Sequence, residues 1–412
     1  MNVRRSAATL AASAVLCVGA APVALADVAT PSPVPPIPSG LFGKTDPTYD
    51  GVWRQSFALL AQRAVGLKPA QQAVDWLVGQ QCADGGFASF RADSAAACDA
   101  KTMLDTNATA VAVQALKALG GQDAAVKKGA DWLKSVQNED GGWAYVPGSP
   151  SEASSTSIVI SALAAAGEKP AEVKSKTGKS AYDNLLSFQL GCSAEQGTDL
   201  GAFAYQRTAD GKLPANADAT AAAVLAGLGT GALVPPSSTD TPAASLACPA
   251  TAGDPVAAAR GAAGYLAGAL AKDNHLTALT PGADQPTADI GNTADAVISL
   301  AAAGHKQAAM GALEWLKANS AEWSKGSPAG LGTLILAAHA TGTDPKAFGG
   351  TDLVAALNAT GPAAASASEQ PAKKKDEKES GNKNVWWMIL AGAAAGMGIG
   401  IVLSGRRKRN QL

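Results

Sequence analysis

The sixteen residues from Lys128 to Trp143, KGADWLKSVQNEDGGW, are laid out in a way that recurs along this chain. The layout is Trp132-Leu133, then Gln137, then a glycine pair closed by Trp143. A second copy runs through Trp76-Leu77, Gln81, Gly85-Gly86 and Phe87, and a weaker third through Asn184-Leu185, Gln189, Gly201 and Phe203. Tyr265-Leu266 and Trp315-Leu316 mark two more. The anchors are 56, 52, 81 and 50 residues apart, and the long interval holds a Pro/Ser/Thr-rich insertion from Val234 to Pro255. A period near 50 residues means that supersecondary units stack on one another, because no single unit can bury its own apolar face.

Each unit has the same internal order: an amphipathic helix ending near the Gln, a Gly-rich loop, then an Ala-rich helix ending in Gly. The second helices are predicted over Thr106–Leu119, Ser154–Ala166, Ala217–Leu228 and Asn292–Ala303, with polar residues at the start and Gly just past the end as cap signals. Small residues cover them nearly all round, which suits helices surrounded by other helices. Five helix pairs account for Pro69 to about Gly342, leaving Val52–Val65 and Asp352–Asn358 as single helices at either end. If these two pair, the chain closes into a ring of about six helix pairs: an all-α fold, an α/α toroid, over residues 50–359.

The Lys128–Trp143 segment resembles the QW motif of the squalene and oxidosqualene cyclase and protein prenyltransferase repeat superfamily. The match is close once, has Phe87 for the final Trp in the second copy, and degrades thereafter. The resemblance implies structural roles for Trp76, Gln81, Phe87, Trp132, Gln137, Trp143 and Trp315, in which the Gln and the Trp stack and tie outer helices to their neighbours.

The ends of the chain set its expected location. Arg4-Arg5, an apolar run from Ala7 to Ala21 and Ala24-Leu25-Ala26 read as a secretory signal peptide over 1–26, followed by a Pro-rich linker over 27–49. Four cysteines remain after its removal, and an even count in an exported chain favours disulfides. The expected pairs are Cys82–Cys98, within one loop, and Cys192–Cys248, in successive loops of the decorated repeat. Residues 360–384 form a polar tether. Val385–Leu403 is uncharged for 19 residues, about 28 Å as a helix, and Arg406-Arg407-Lys408-Arg409 follow in the tail 404–412. Together they predict a single-pass type I anchor in the cell membrane with the toroid outside. With a net charge of -1, a nucleic-acid partner has no electrostatic support.

Class II terpene cyclases of the resembled superfamily protonate substrate with a DxDDTA motif at the start of an inner helix. Four blocks align there: DTNATA from Asp105, EASSTS from Glu152, NADATA from Asn216 and DIGNTA from Asp289. None keeps the acidic triplet, and Asp218 alone occupies the donor position, with Asn216 and Ala219 where its partners would be. A lone carboxyl in an apolar cavity is a weakened acid, so Asp218 as a catalytic acid is the alternative reading only. The prenyltransferase branch needs zinc on Asp, Cys and His, and His275, His305 and His339 have no such surroundings. Gly191-Cys192-Ser193-Ala194-Glu195-Gln196 is similar to the GCGEQ thioester motif of complement-type proteins, with one residue too many.

The expectation is therefore a non-enzymatic module without metal or cofactor, binding a ligand or a partner. By likeness to the intrinsic factor and transcobalamin branch, it could feed a membrane transporter with a cobalamin-like or isoprenoid ligand. The candidate ligand residues stand at the mouth of the inner helices: Asn107, Thr109, Ser154, Thr156, Asp218, Thr220, Asn292 and Thr293. The expected ligand is small and hydrophobic or anionic, and helix N-termini converging there would favour an anionic group.

Overall fold

Thirteen α-helices occur among the residues described by the computed structural model, which are 36–192, 197–248, 253–278 and 284–366. In chain order they are α1 (Gly51–Ala64), α2 (Gln71–Gly79), α3 (Thr106–Leu119), α4 (Asp123–Ser135), α5 (Ala153–Ala166), α6 (Ala181–Leu186) and α7 (Ala217–Gly227). There follow α8 (Pro255–Leu270), α9 (Ile290–Ala302), α10 (Lys306–Asn319), the single turn α11 (Ala321–Ser324), α12 (Pro328–Thr341) and α13 (Leu353–Asn358). The predicted signal peptide, membrane segment and basic tail, with most of the tether, lie outside the described residues. No helix among the described residues is long and apolar enough to cross a membrane.

The helices alternate between two layers. α1, α3, α5, α7, α9 and α12 each pack on the next, and α12 packs on α1, so the inner layer closes on itself. Outside it lie α2, α4, α6, α8, α10 and α13, each packed on the inner helix that precedes it in the chain. The α/α toroid is thus the observed fold. Its closure differs in detail from the expectation: the seam is α12 against α1, and α13 packs on α12 and meets α1 through Gln62 Nε2, which donates to Asn358 Oδ1 at 2.8 Å. The predicted linker is also partly folded, since Leu41 and Phe42 are buried and the Phe42 N–H donates to Gln55 Oε1.

Helix ends follow the cap signals. Asp105 accepts from the Ala108 N–H, Asn216 from Ala219 and Asp289 from Asn292, whereas α8 and α12 begin on Pro255 and Pro328. Inner helices are almost wholly buried; Val159, Ile160, Leu334 and Ile335 show no exposed surface.

The repeated motif explains how one unit is fastened to the next. Gln81 Nε2 donates to Gly85 O in its own loop and to Ala125 O in the following outer helix, and Gln189 does the same to Gly201 and Ala258. Gln137 keeps the loop half, to Gly141 O at 2.8 Å. The tie is therefore made by amide hydrogen bonds to backbone. The glycines let the loop approach the next helix: a Cβ on Gly85, Gly141 or Gly201 would lie 2.2, 2.3 or 2.6 Å from the carbonyl oxygen of Lys128, Ser180 or Gly261, and all three have positive φ.

These positions separate two costs. Gly141→Ala should destabilise by about 2 kcal/mol or more, because backbone must move as well as adopt a left-handed residue. Gly148→Ala, at similar φ with open space around it, should lose only about 1 kcal/mol. Urea denaturation of both variants measures the difference, and equal losses would remove the close-approach explanation.

Two disulfides, Cys82–Cys98 and Cys192–Cys248, join the cysteines as expected, so the Cys192 sulfur is not held in a thioester.

Candidate functional site

The Thr-Ala ending shared by three of the four aligned blocks has a structural use. Thr109, Thr156, Thr220 and Thr293 stand one turn into α3, α5, α7 and α9, and each hydroxyl accepts the backbone N–H of the residue closing a preceding loop. The donors are Phe87, Trp143, Phe203 and Leu276, at 2.8 to 3.0 Å. Thr109, Thr220 and Thr293 donate to the carbonyl of their N-cap residue, and Thr156 donates to Asn184 Oδ1. Each threonine locks the loop that precedes it onto an inner helix, the loop being Gly-rich ahead of Phe87, Trp143 and Phe203.

The acidic positions of the blocks are occupied in the same way. Asp105 accepts from Ala108 N and from Ser89 Oγ, and buried Glu152 accepts from Tyr145 N and Ser155 Oγ. Asp289 accepts from Asn292 through both its N–H and its Nδ2. Ser154 donates to Asp218 Oδ2 at 2.8 Å. Asn107 has a buried side-chain oxygen without a partner among the described residues. Of the eight residues expected at a ligand, only Asp218 lines the central cavity, and all the others except Asn107 are held in these hydrogen bonds.

That cavity, of about 100 Å³, lies inside the inner ring. Trp53 and Phe57 of α1, Val111 and Gln114 of α3, and Ile158 and Ser161 of α5 form one side. Asp218, Ala221 and Leu225 of α7 with Asp295 and Ile298 of α9 form the other. Below, the chain leaving α7 crosses the C-terminal ends of the ring: the Ala232 N–H donates to Gln114 Oε1 at 3.2 Å, and the Ser237 N–H to Ala340 O of α12. Glycine at 231 lets that crossing come close to Gln114, since a Cβ there would fall 2.2 Å from Gln114 Oε1. The sequence insertion beginning at Val234 thus continues a segment that floors the cavity.

Asp295 is the group that sequence reasoning missed. Burial, with the nearby charges of Asp218 and Asp289, pushes its carboxyl up to about 7. Burial also raises Asp218, opposed by the Ser154 hydrogen bond and aided by the Asp289 charge. The signal available was a lone carboxylate in the otherwise uncharged run TADAVISLAAAG, which an inward-facing helix does not carry without cause. Among the described residues no group of three or more His, Cys, Asp or Glu side chains could hold a metal ion.

The fold is an α/α toroid whose inner and outer helices are tied by the repeated motif. Residues 47–193 match the family model of the prenyltransferase alpha-alpha toroid domain, the family that the repeats resemble. No curated protein matches the chain. Solved structures similar to it include ent-copalyl diphosphate synthase from Streptomyces platensis, at 17% identity and a TM-score of 0.47 over 71% of this chain. This chain spans half the length of that enzyme. A protein from Actinoplanes is 16% identical with a TM-score of 0.48, covering 75% of this chain and 96% of its own. A type II terpene cyclase from Scytonema, in complex with geranylgeranyl dihydroxybenzoate, is 12% identical with a TM-score of 0.42, covering 71% of this chain and 88% of its own.

Proposed function

We propose that this chain is a non-enzymatic ligand-binding toroid displayed outside the cell membrane on a C-terminal anchor, where it passes a small ligand to a membrane partner such as a transporter. The observation that carries the reading is the fate of the acid positions at the inner-helix N-termini. Asp105, Glu152 and Asp289 are spent on capping or loop hydrogen bonds. The one carboxyl at the donor position, Asp218, is raised by burial, and so is a poorer acid than a free aspartate. Protonating an alkene requires the opposite shift.

Size supports the same reading. Sites that enclose drug-sized ligands run to about 300–1,000 Å³. A cavity of about 100 Å³ is smaller than that. A corrin or a polyprenyl chain would have to lie across the mouth, with only a small group entering.

The enzyme alternative is tested by incubating the purified full chain with geranylgeranyl diphosphate and analysing the extract by mass spectrometry. Substrate recovered unchanged is the expected result. A cyclised product that disappears in Asp218→Asn would establish catalysis in place of this reading.

A further inference from the structure

The central cavity holds two carboxyls and no positive group. No Lys, Arg or His is among its lining residues, and the Asp295 carboxyl has no hydrogen-bond or ion-pair partner among the described residues. Two further polar side chains that line it are unsatisfied. Ser161, 4% exposed, makes no hydrogen bond, and Gln114, 7% exposed, uses its oxygen on Ala232 and leaves its Nε2 free. Buried polar groups are nearly always paired, so the Ser161 hydroxyl and the Gln114 amide nitrogen, sharing one cavity with the unpartnered Asp295 carboxyl, indicate an occupant.

The remaining lining indicates what the occupant is. Trp53 and Phe57, with ring centroids 5.0 Å apart, stand among Val111, Ile158, Leu225 and Ile298. Aromatic faces attract a cation electrostatically, and alkyl groups are welcome on the aliphatic wall. A hard metal ion would instead require about six oxygen ligands in close geometry. The mouth argues against an anion, because Asp50, Asp105, Glu152, Asp218 and Asp289 already place carboxylates at the N-termini of α1, α3, α5, α7 and α9. On electrostatic grounds these carboxylates favour a cationic group over an anionic one there.

We propose that the cavity binds a compact organic cation, an alkylated ammonium group, with its charge between Asp218 and Asp295 and its methyl groups against Trp53, Phe57 and Ile158. The inference rests on the ligand-binding reading and specifies its chemistry. Ser161 and Gln114 supply polar contacts at the end away from the carboxyls.

The test is calorimetric titration of the full chain in dodecyl maltoside with tetramethylammonium chloride. Sodium chloride at equal ionic strength and tert-butanol, a neutral molecule of the same size, are the comparisons. Saturable 1:1 binding of tetramethylammonium alone is the expected result, weakened about tenfold or more by Asp295→Asn and by Trp53→Leu. Asp295→Asn removes a charge without changing shape, and its melting curve shows that the fold is kept. Equal binding of tert-butanol would overturn the cation assignment while leaving a ligand-binding cavity. Sodium binding as well as tetramethylammonium would replace it with an inorganic site. Absence of any binding would overturn both the inference and the reading on which it rests.

Discussion

Asp295→Asn should make the empty protein more stable at pH 8, by up to about 4 kcal/mol, and the gain should vanish as the pH falls towards 4. The folded carboxyl titrates near 7 and the unfolded one near its usual 3.8, a difference of roughly 3 units at about 1.4 kcal/mol each. Between those values the native state holds a proton that the unfolded state has released. Stability therefore falls as pH rises through this window and levels off above 7. Asparagine carries no such linkage, so the variant's profile should lose this slope. Urea denaturation at four pH values between 4 and 8 measures it; parallel profiles for both proteins would mean that Asp295 is solvated and ordinary.

Trp143→Ala should cost about 3–5 kcal/mol, the range for removing a large buried aromatic. Trp143 is 1% exposed, its Nε1 donates to Leu133 O at 2.7 Å, and its backbone N–H donates to Thr156. Alanine would leave the Leu133 carbonyl short of a partner and open a void between α4 and α5. Trp143→Phe isolates the two terms. The equivalent position of the preceding unit is Phe87, fully buried, so a phenyl ring fits this kind of site, and the loss should shrink to about 1–2 kcal/mol. Thermal and urea unfolding of both variants provide the numbers, and equal losses would show that the indole hydrogen bond, and not volume, dominates.

The ring could be read from the sequence because its signals are local and repeated. The Gln81, Gln137 and Gln189 positions, the glycines after them and the cap residues of α3, α5, α7 and α9 each report their own unit, and repetition averages out the degraded copies. Both disulfides followed from the loops in which their cysteines lie. The seam was harder: α1 against α12 joins residues nearly 300 positions apart, and no local pattern says whether α1 meets α12 or α13.

The site was less legible than the ring for a related reason. Thr109, Thr156, Thr220 and Thr293 are prominent as a repeated polar set at one mouth, which is also how ligand contacts would look. Only the positions of the loop N–H groups show them to be fastenings. Asp295 is not repeated in the other units and so lay outside the aligned blocks. Gln114 gains its place from the segment crossing beneath the ring, a contact over more than a hundred residues.

The central claim, that the ring binds a small molecule without changing it, is met most directly by native mass spectrometry of the purified full chain in mild detergent. The account predicts a 1:1 noncovalent adduct of low mass, released intact on activation and lost in Asp295→Asn. Only the bare chain, in both proteins and under the gentlest conditions, would contradict it.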